Sequence, residues 1–179
     1  LLPGSRKQEI SKMLSVMLSL VDDFQQYEFV IAGAPSQSLD FYKKIIGSKN
    51  IAFVDNKTYD LLSVSYAALV TSGTATLETA LFKVPQVVCY KGSIISYQIA
   101  KRIITLRFIS LVNLIMDKEV VKELIQKDFT KKNLTKELAM ILDDNHRSKI
   151  FENYYQLEQK LGGKGASKNT ATSIISKLN

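Results

Sequence analysis

Residues 68–78 read Ala68-Leu69-Val70-Thr71-Ser72-Gly73-Thr74-Ala75-Thr76-Leu77-Glu78. Ala68–Thr71 is a short apolar run of strand character, and Ser72-Gly73-Thr74 is a tight turn. Beyond the turn, Leu77, Ala80 and Leu81 fall on one side of a helix predicted over Ala75 to Phe82. Pro85 then separates that helix from a second apolar strand, Gln86-Val87-Val88-Cys89-Tyr90. A strand, a glycine turn, a helix and another strand make a βαβ unit, whose two strands run parallel.

The same alternation continues outward in both directions. Upstream, Leu1-Leu2 reads as the end of a strand, and Ile10, Met13, Leu14, Met17, Leu20, Val21 and Phe24 repeat at helical spacing from Arg6 to about Asp23. Ser5 with Gln8 three residues later fits a capping box, which makes Ser5 the expected N-cap. Phe29–Gly33 and Ile51–Val54 read as strands, with helices over Leu39–Ile46 and Thr58–Tyr66. Downstream, Ser93–Leu106 reads as an amphipathic helix and Phe108-Ile109-Ser110-Leu111 as a last strand. Only helices are expected after Lys118, over about 118–127, 131–143, 146–161 and 167–178. The strands are continuous apolar runs, as strands covered on both faces should be. The expected fold is therefore α/β, a Rossmann-like parallel sheet with helices on both faces and a helical C-terminal tail. Residues 1–165 form the expected domain, and 166–179 form a final helix beyond the Gly162-Gly163-Lys164-Gly165 link.

Composition narrows the function. The chain has 179 residues, 46% apolar and 23% charged, which is globular composition and enough chain to bury a core. Its 24 Lys+Arg against 17 Asp+Glu give +7, a charge suited to nucleic acid, an anionic membrane surface or a phosphorylated ligand. One cysteine excludes an internal disulfide framework, and one histidine with one cysteine supplies no structural zinc site. No metal and no cofactor are expected. No uncharged apolar run is long enough to span a bilayer, and the first residues lack the regions of a signal peptide. They also lack an initiator methionine, as if the chain began inside a longer protein. Against nucleic acid, the basic residues are spread out and not interleaved with aromatics.

In an open parallel sheet, ligands bind beyond the C-terminal ends of the strands. Three loops there could carry chemistry. Pro3-Gly4-Ser5-Arg6 leads into a helix, where Gly4 permits close approach, the first N–H groups and helix dipole favour an anion, and Arg6 can fork onto phosphate. Ser72-Gly73-Thr74 forms a second anion cradle, with Glu78 one turn into its helix and within reach of a ribose diol. Both could equally be ordinary capped helix starts. Asn113 follows the last expected strand, and Lys91 could bring a cation near the same crevice. There is neither a GxGxxG nor a GxxxxGK[ST] motif. Cys89 reads as core packing and His146 as a surface residue. The 93–106 helix, with Lys101 and Arg102 among isoleucines, could pack on the sheet or meet a membrane.

Taken together, several stretches resemble the lipid-A-disaccharide synthases. They are Leu2-Pro3-Gly4-Ser5-Arg6 with Glu9, Ser72–Glu78, Pro85–Lys91, Ala100-Lys101-Arg102, Ser110–Ile115 and Val121–Gln126. The Ser-Gly-Thr-x-x-Leu-Glu turn recurs across GT-B glycosyltransferases; the combination with Ser110-Leu111-Val112-Asn113 and Val121–Gln126 is more particular. The resemblance implies the C-terminal, nucleotide-binding half of an inverting glycosyltransferase of Gram-negative lipopolysaccharide synthesis. Such enzymes join UDP-2,3-diacylglucosamine to 2,3-diacylglucosamine 1-phosphate, release UDP and leave the lipid A disaccharide. It further implies that Gly4, Ser5 and Arg6 face the diphosphate, with Arg6 stabilising the leaving group. Ser72, Gly73 and Thr74 would cradle phosphate, Glu78 would hold the ribose, Asn113 would sit by the sugar-phosphate, and the general base would lie on an N-terminal domain outside this chain. The implied location is cytoplasmic, peripheral to the inner membrane, and a homo-oligomer is left open. One departure is Val112, which stands where the family usually has proline. The alternatives are another GT-B enzyme using a UDP-N-acetylhexosamine (a peptidoglycan precursor glycosyltransferase or a 2-epimerase) and a non-enzymatic basic module for membrane or nucleic acid.

Overall fold

The computed structural model describes residues 1–92, 107–163 and 165–177. The helix expected over Ser93–Leu106 lies outside the described residues. Among the described residues the strands are β1 (Val30–Gly33), β2 (Ala52–Asp55), β3 (Ala68–Thr71), β4 (Gln86–Tyr90) and β5 (Lys122–Ile125). The helices are α1 (Lys7–Leu18), α2 (Leu39–Ile46), α3 (Thr58–Val64), α4 (Thr74–Leu81), α5 (Leu111–Met116), α6 (Lys131–Leu142), α7 (Asp144–Lys160) and α8 (Ala166–Ile175).

β1 and β2 form one parallel pair, and β3, β4 and β5 form a second parallel sheet in that order. Leu1-Leu2 joins them. Leu1 N donates to Val30 O at 2.7 Å and Ala32 N donates to Leu1 O at 2.9 Å. On the other side Leu2 N donates to Leu69 O and Thr71 N to Leu2 O, both at 2.9 Å. These are parallel-ladder patterns, so the order across the molecule is β2, β1, Leu1-Leu2, β3, β4, β5. Counting Leu1-Leu2 as the first strand, the sheet runs third, second, first, fourth, fifth, sixth. That is the order of a doubly wound dinucleotide-type sheet, and it reverses direction between Leu1-Leu2 and β3.

The core lies on both faces of this sheet. On one face Met13, Met17 and Leu20 meet Leu69, Val87, Cys89, Leu134, Leu138 and Tyr154. Ile10, Leu14 and Leu18 of α1 pack with Ile31 and Tyr42. The central strands β3 and β4 are buried nearly throughout, which explains their unbroken apolar reading. Cys89 is a buried, free thiol, as its place in an apolar strand predicts. Burial pushes its thiol well above the ordinary range and does the same to the Tyr154 phenol. Arg147 clips α7 to the sheet: its guanidinium lies 3.6 Å from the Tyr66 ring centroid and donates to Tyr66 O at 2.9 Å. α8 has no buried residue among those described.

Three expectations need correction. Phe108–Leu111 is not a strand: Ser110 is the N-cap of α5, its Oγ accepting from Asn113 N at 3.3 Å. The last strand is β5, within the stretch expected to be helical over 118–127. Its pairing with Val87–Tyr90 supplies the backbone hydrogen bonds that local periodicity assigned to a helix. Finally, Ser5 does not cap α1. Arg6 holds the N-cap position with extended backbone, and Glu9, not Gln8, reaches back, its carboxylate accepting from Ser5 N at 3.1 Å.

Candidate functional site

At the point where the strand order reverses, a cleft of about 550 Å³ opens beyond the C-terminal ends of the strands. Four loops wall it. Gly4 and Ser5 follow Leu1-Leu2, Gly33-Ala34-Pro35 follows β1, Asn56–Tyr59 follows β2, and Thr71–Ala75 follows β3, with Glu78 one turn further along α4. The two glycine turns singled out from sequence, 69 residues apart in the chain, therefore share one crevice.

Each wall has a physical cause. The loop after β1 is tied down by Tyr42, whose buried hydroxyl accepts from Ala34 N at 2.9 Å. Ser36 Oγ and Gln37 Nε2 both donate to Ser5 O, at 3.0 and 3.2 Å, and lock that loop to the one after Leu2. Gly4 has φ +100°, a region L side chains rarely adopt, and a Cβ there would overlap the Glu9 carboxylate. Across the cleft, Gly73 leads into α4, where Thr76 Oγ1 donates to Gly73 O at 2.8 Å. The first amides of α1 and α4 have no intrahelical acceptors and, with the helix dipoles, favour an anion between them. Thr71 Oγ1 is buried at the floor and has no hydrogen-bond partner among the described residues. The signal in the sequence that could have marked Thr71 is its position as the last strand residue before the turn.

Glu78 is half-buried, and its Oε1 accepts from the Tyr59 hydroxyl at 2.8 Å. That bond, more than the Coulombic effect of the same carboxylate, raises the Tyr59 phenol above its ordinary range. Tyr59 was missed from sequence, since no spacing rule links it to Glu78.

Arg6 and Lys91 do not line this cleft. They meet in an adjoining groove of about 340 Å³ with Lys7, Lys12 and Tyr90. Glu9 borders both hollows. Asn113 lies in neither lining and is fully buried. Its Oδ1 accepts from Val120 N and Val121 N at 2.8 and 3.0 Å, and its Nδ2 donates to Val121 O and Glu123 Oε1 at 2.8 and 2.9 Å. Both ends of the amide are thus engaged within the chain. Val112, at the proline position, is fully buried in α5, and the loop is closed by other means. Glu123 accepts from Ile109 N and Ser110 N, both at 2.9 Å, and from Ser110 Oγ at 2.7 Å. Ile109 O in turn accepts from Ser72 Oγ at 3.2 Å. Asn113 and Glu123 thus reach the cleft indirectly, by holding the strut on which Ser72 leans.

Both glycines are held in backbone regions that favour glycine. Gly4→Ala is expected to cost about 1–3 kcal/mol through backbone strain, with displacement of the Glu9 carboxylate added to it. Gly73→Ala is also expected to cost about 1–3 kcal/mol, from strain alone, because Gly73 sits at φ +159° and ψ −164° although a Cβ there meets nothing within 4 Å. Urea denaturation of the two variants reads both costs, and a variant within about 0.5 kcal/mol of wild type would contradict the strain at that glycine.

Among the described residues no group of three His, Cys, Asp or Glu is placed to hold a metal ion.

Comparison with known proteins shows the family. A family model described as lipid-A-disaccharide synthetase matches residues 1–177. The chain belongs to the lipid-A-disaccharide synthase family. It is 36% identical to the lipid-A-disaccharide synthase of Syntrophus aciditrophicus over 98% of this chain and 48% of that protein. Identity is 33% to the synthase of Coxiella burnetii (97% and 47%) and 31% to that of Geobacter sulfurreducens (99% and 48%). The chain thus spans about half the length of the curated relatives it matches. Among its described residues no helix is long and apolar enough to cross a membrane.

Proposed function

We propose that this chain is the donor-binding half of an inverting glycosyltransferase. The full protein would join UDP-2,3-diacylglucosamine to 2,3-diacylglucosamine 1-phosphate, giving the lipid A disaccharide and UDP. The observation that carries this reading is the convergence of the Gly4 and Gly73 turns, with Glu78, on one cleft at the reversal of strand order. Crevices at that point of a doubly wound sheet are nucleotide sites, and family membership supplies the sugar nucleotide and the lipid acceptor.

In this reading the UDP diphosphate lies between the N-termini of α1 and α4. Backbone amides of Gly4, Gly73 and Thr74, with the Thr74 hydroxyl, take its oxygens, while Ser5 N, donating to Glu9, and the Ser72 hydroxyl, donating to Ile109 O, hold the two loops in place. Glu78 accepts from the ribose hydroxyls. As the glycosidic bond to UDP breaks, negative charge grows on the departing phosphate, and fixed dipoles and cations already in place stabilise it. Arg6 and Lys91 provide that positive charge from the adjoining groove, Arg6 being next in sequence to Ser5 of the cleft wall. A base must also remove the acceptor hydroxyl's proton. We assign it to the N-terminal part of the protein, and peripheral contact with the cytoplasmic face of the inner membrane to the need to reach two lipid substrates.

The chain by itself is then expected to bind UDP and to turn over no substrate. Isothermal titration with UDP on wild type and Arg6→Ala tests this. Loss of one charge-assisted contact should weaken binding about tenfold. Equal affinities, or transferase turnover by the chain alone, would contradict the assignment.

A further inference from the structure

From the Tyr59–Glu78 pair we infer that Tyr59 is a positioning residue for ribose recognition: it holds the Glu78 carboxylate in the orientation that accepts a nucleotide's two ribose hydroxyls. This inference rests on the donor-site reading above and goes beyond it.

Tyr59 stands in the first turn of α3, after β2, whereas Glu78 stands in α4, after β3. The two elements belong to opposite halves of the sheet, and both side chains line the cleft between them. The Tyr59 hydroxyl donates to Oε1 of Glu78 at 2.8 Å. The Tyr59 ring stacks on Phe82, the C-cap of α4 and four residues after Glu78, with centroids 5.5 Å apart and planes inclined by 28°. A tyrosine ring held by stacking has few remaining rotamers, so its hydroxyl is a fixed point and not a swinging one.

The consequence lies in the carboxylate. An ionised carboxylate is acceptor-only, with lone pairs on both oxygens. A half-exposed glutamate with no partner samples several rotamers, and ordering it costs binding energy when a ligand arrives. With Oε1 tied to Tyr59, the plane of the carboxylate is set beforehand. Oε2 and the second lone pair of Oε1 then remain for donors entering from the cleft. A vicinal diol presents two O–H donors side by side, which matches that spare capacity. A ligand without them gains nothing from the arrangement and leaves the carboxylate as it was. Tyr59 therefore acts on discrimination between ribose and its deoxy analogues, through Glu78, and not on phosphate binding.

The test measures affinity for UDP and for a UDP analogue lacking both ribose hydroxyls, by isothermal titration. Four proteins are compared: wild type, Tyr59→Phe, Glu78→Ala and the double variant. Tyr59→Phe keeps the ring and its stack on Phe82 and removes only the donor; Tyr59 is 54% exposed, so the fold is retained. Wild type should prefer UDP about tenfold, the effect of hydrogen bonds to a charged acceptor. Tyr59→Phe should lower that preference to about threefold while leaving the affinity for the deoxy analogue unchanged. Glu78→Ala should abolish the preference, and adding Tyr59→Phe to it should change nothing further. A purely structural role would shift both affinities together and leave their ratio intact. An undiminished preference in Tyr59→Phe overturns the role of Tyr59 and leaves the donor site standing. If wild type fails to bind UDP at all, the donor-site reading falls and takes this inference with it.

Discussion

Asn113→Ala is expected to remove about 3–5 kcal/mol of folding stability, a large part of what a domain of this size has. The cost comes from what the substitution leaves behind. Val120 N and Val121 N would lose their acceptor inside a region closed to water, and Val121 O would lose a donor. Each orphaned buried group costs about 1–3 kcal/mol, more than the net worth of the bond that was made. Asn113→Asp does not repair this. It restores acceptors for the two amides but sets a second carboxylate oxygen against Val121 O and Glu123, where donors are needed.

Glu123→Gln probes the other end of the same strut. The Glu123 carboxylate accepts from Ile109 N, Ser110 N, Ser110 Oγ and Asn113 Nδ2 and meets donors only. An amide nitrogen in its place would face one of those donors, so the isosteric change should itself be destabilising. Urea unfolding followed by circular dichroism reads both variants. If Asn113→Ala unfolds within about 1 kcal/mol of wild type, the buried network described here does not hold the loop.

The same residues show where sequence reading stops. β3, β4 and α2 were legible to the residue, since buried parallel strands carry unbroken apolar runs and a helix of that length carries its own periodicity. The Gly4 and Gly73 turns were legible as turns at strand-to-helix junctions, because glycine and small hydroxyl residues cluster there. β5 was not legible. Lys122-Glu123-Leu124-Ile125 is half polar, and what makes it a strand is the exposed edge of β4, which lies 32 or more residues earlier in the chain. Asn113 was legible as important but not as buried. Its role depends on the amides of Val120 and Val121, which turn back onto it only because β5 is a strand. The surroundings of Asn113 could therefore not be read before β5 was placed.

The cleft fared better for the converse reason. Its walls are strand ends, and once Leu1-Leu2 is placed between β1 and β3 the order of strands brings the two glycine turns together. The pairing of Tyr59 with Glu78 is a further product of that order, because α3 and α4 flank the reversal from opposite halves.

Between pH 8 and pH 11 the protein is expected to lose about 4–5 kcal/mol of stability through two buried acids. Cys89 and Tyr154 are both fully buried, and desolvation raises the pKa of each far above its ordinary value. In the unfolded chain the thiol ionises near pH ~8.5 and the phenol near ~10. Above those values the folded state binds more protons than the unfolded state, so stability falls as pH rises. It is fully present below the unfolded pKa values and is lost progressively up to the folded ones. Each unit past an unfolded pKa costs about 1.4 kcal/mol per group, which makes Cys89 the larger contributor at pH 11. The Tyr154 hydroxyl accepts from Gln86 Nε2 at 3.3 Å, a bond that offsets part of the desolvation, and Gln86 also donates to Thr76 O at 2.8 Å. Tyr154→Phe removes the titration at the price of one acceptor, and Cys89→Ala removes the other at the cost of a small cavity. Urea denaturation at intervals across this range should give a shallower decline in either variant and the shallowest in the double variant. A decline of the same slope in all four proteins would place the alkaline sensitivity elsewhere than in the sheet's buried face.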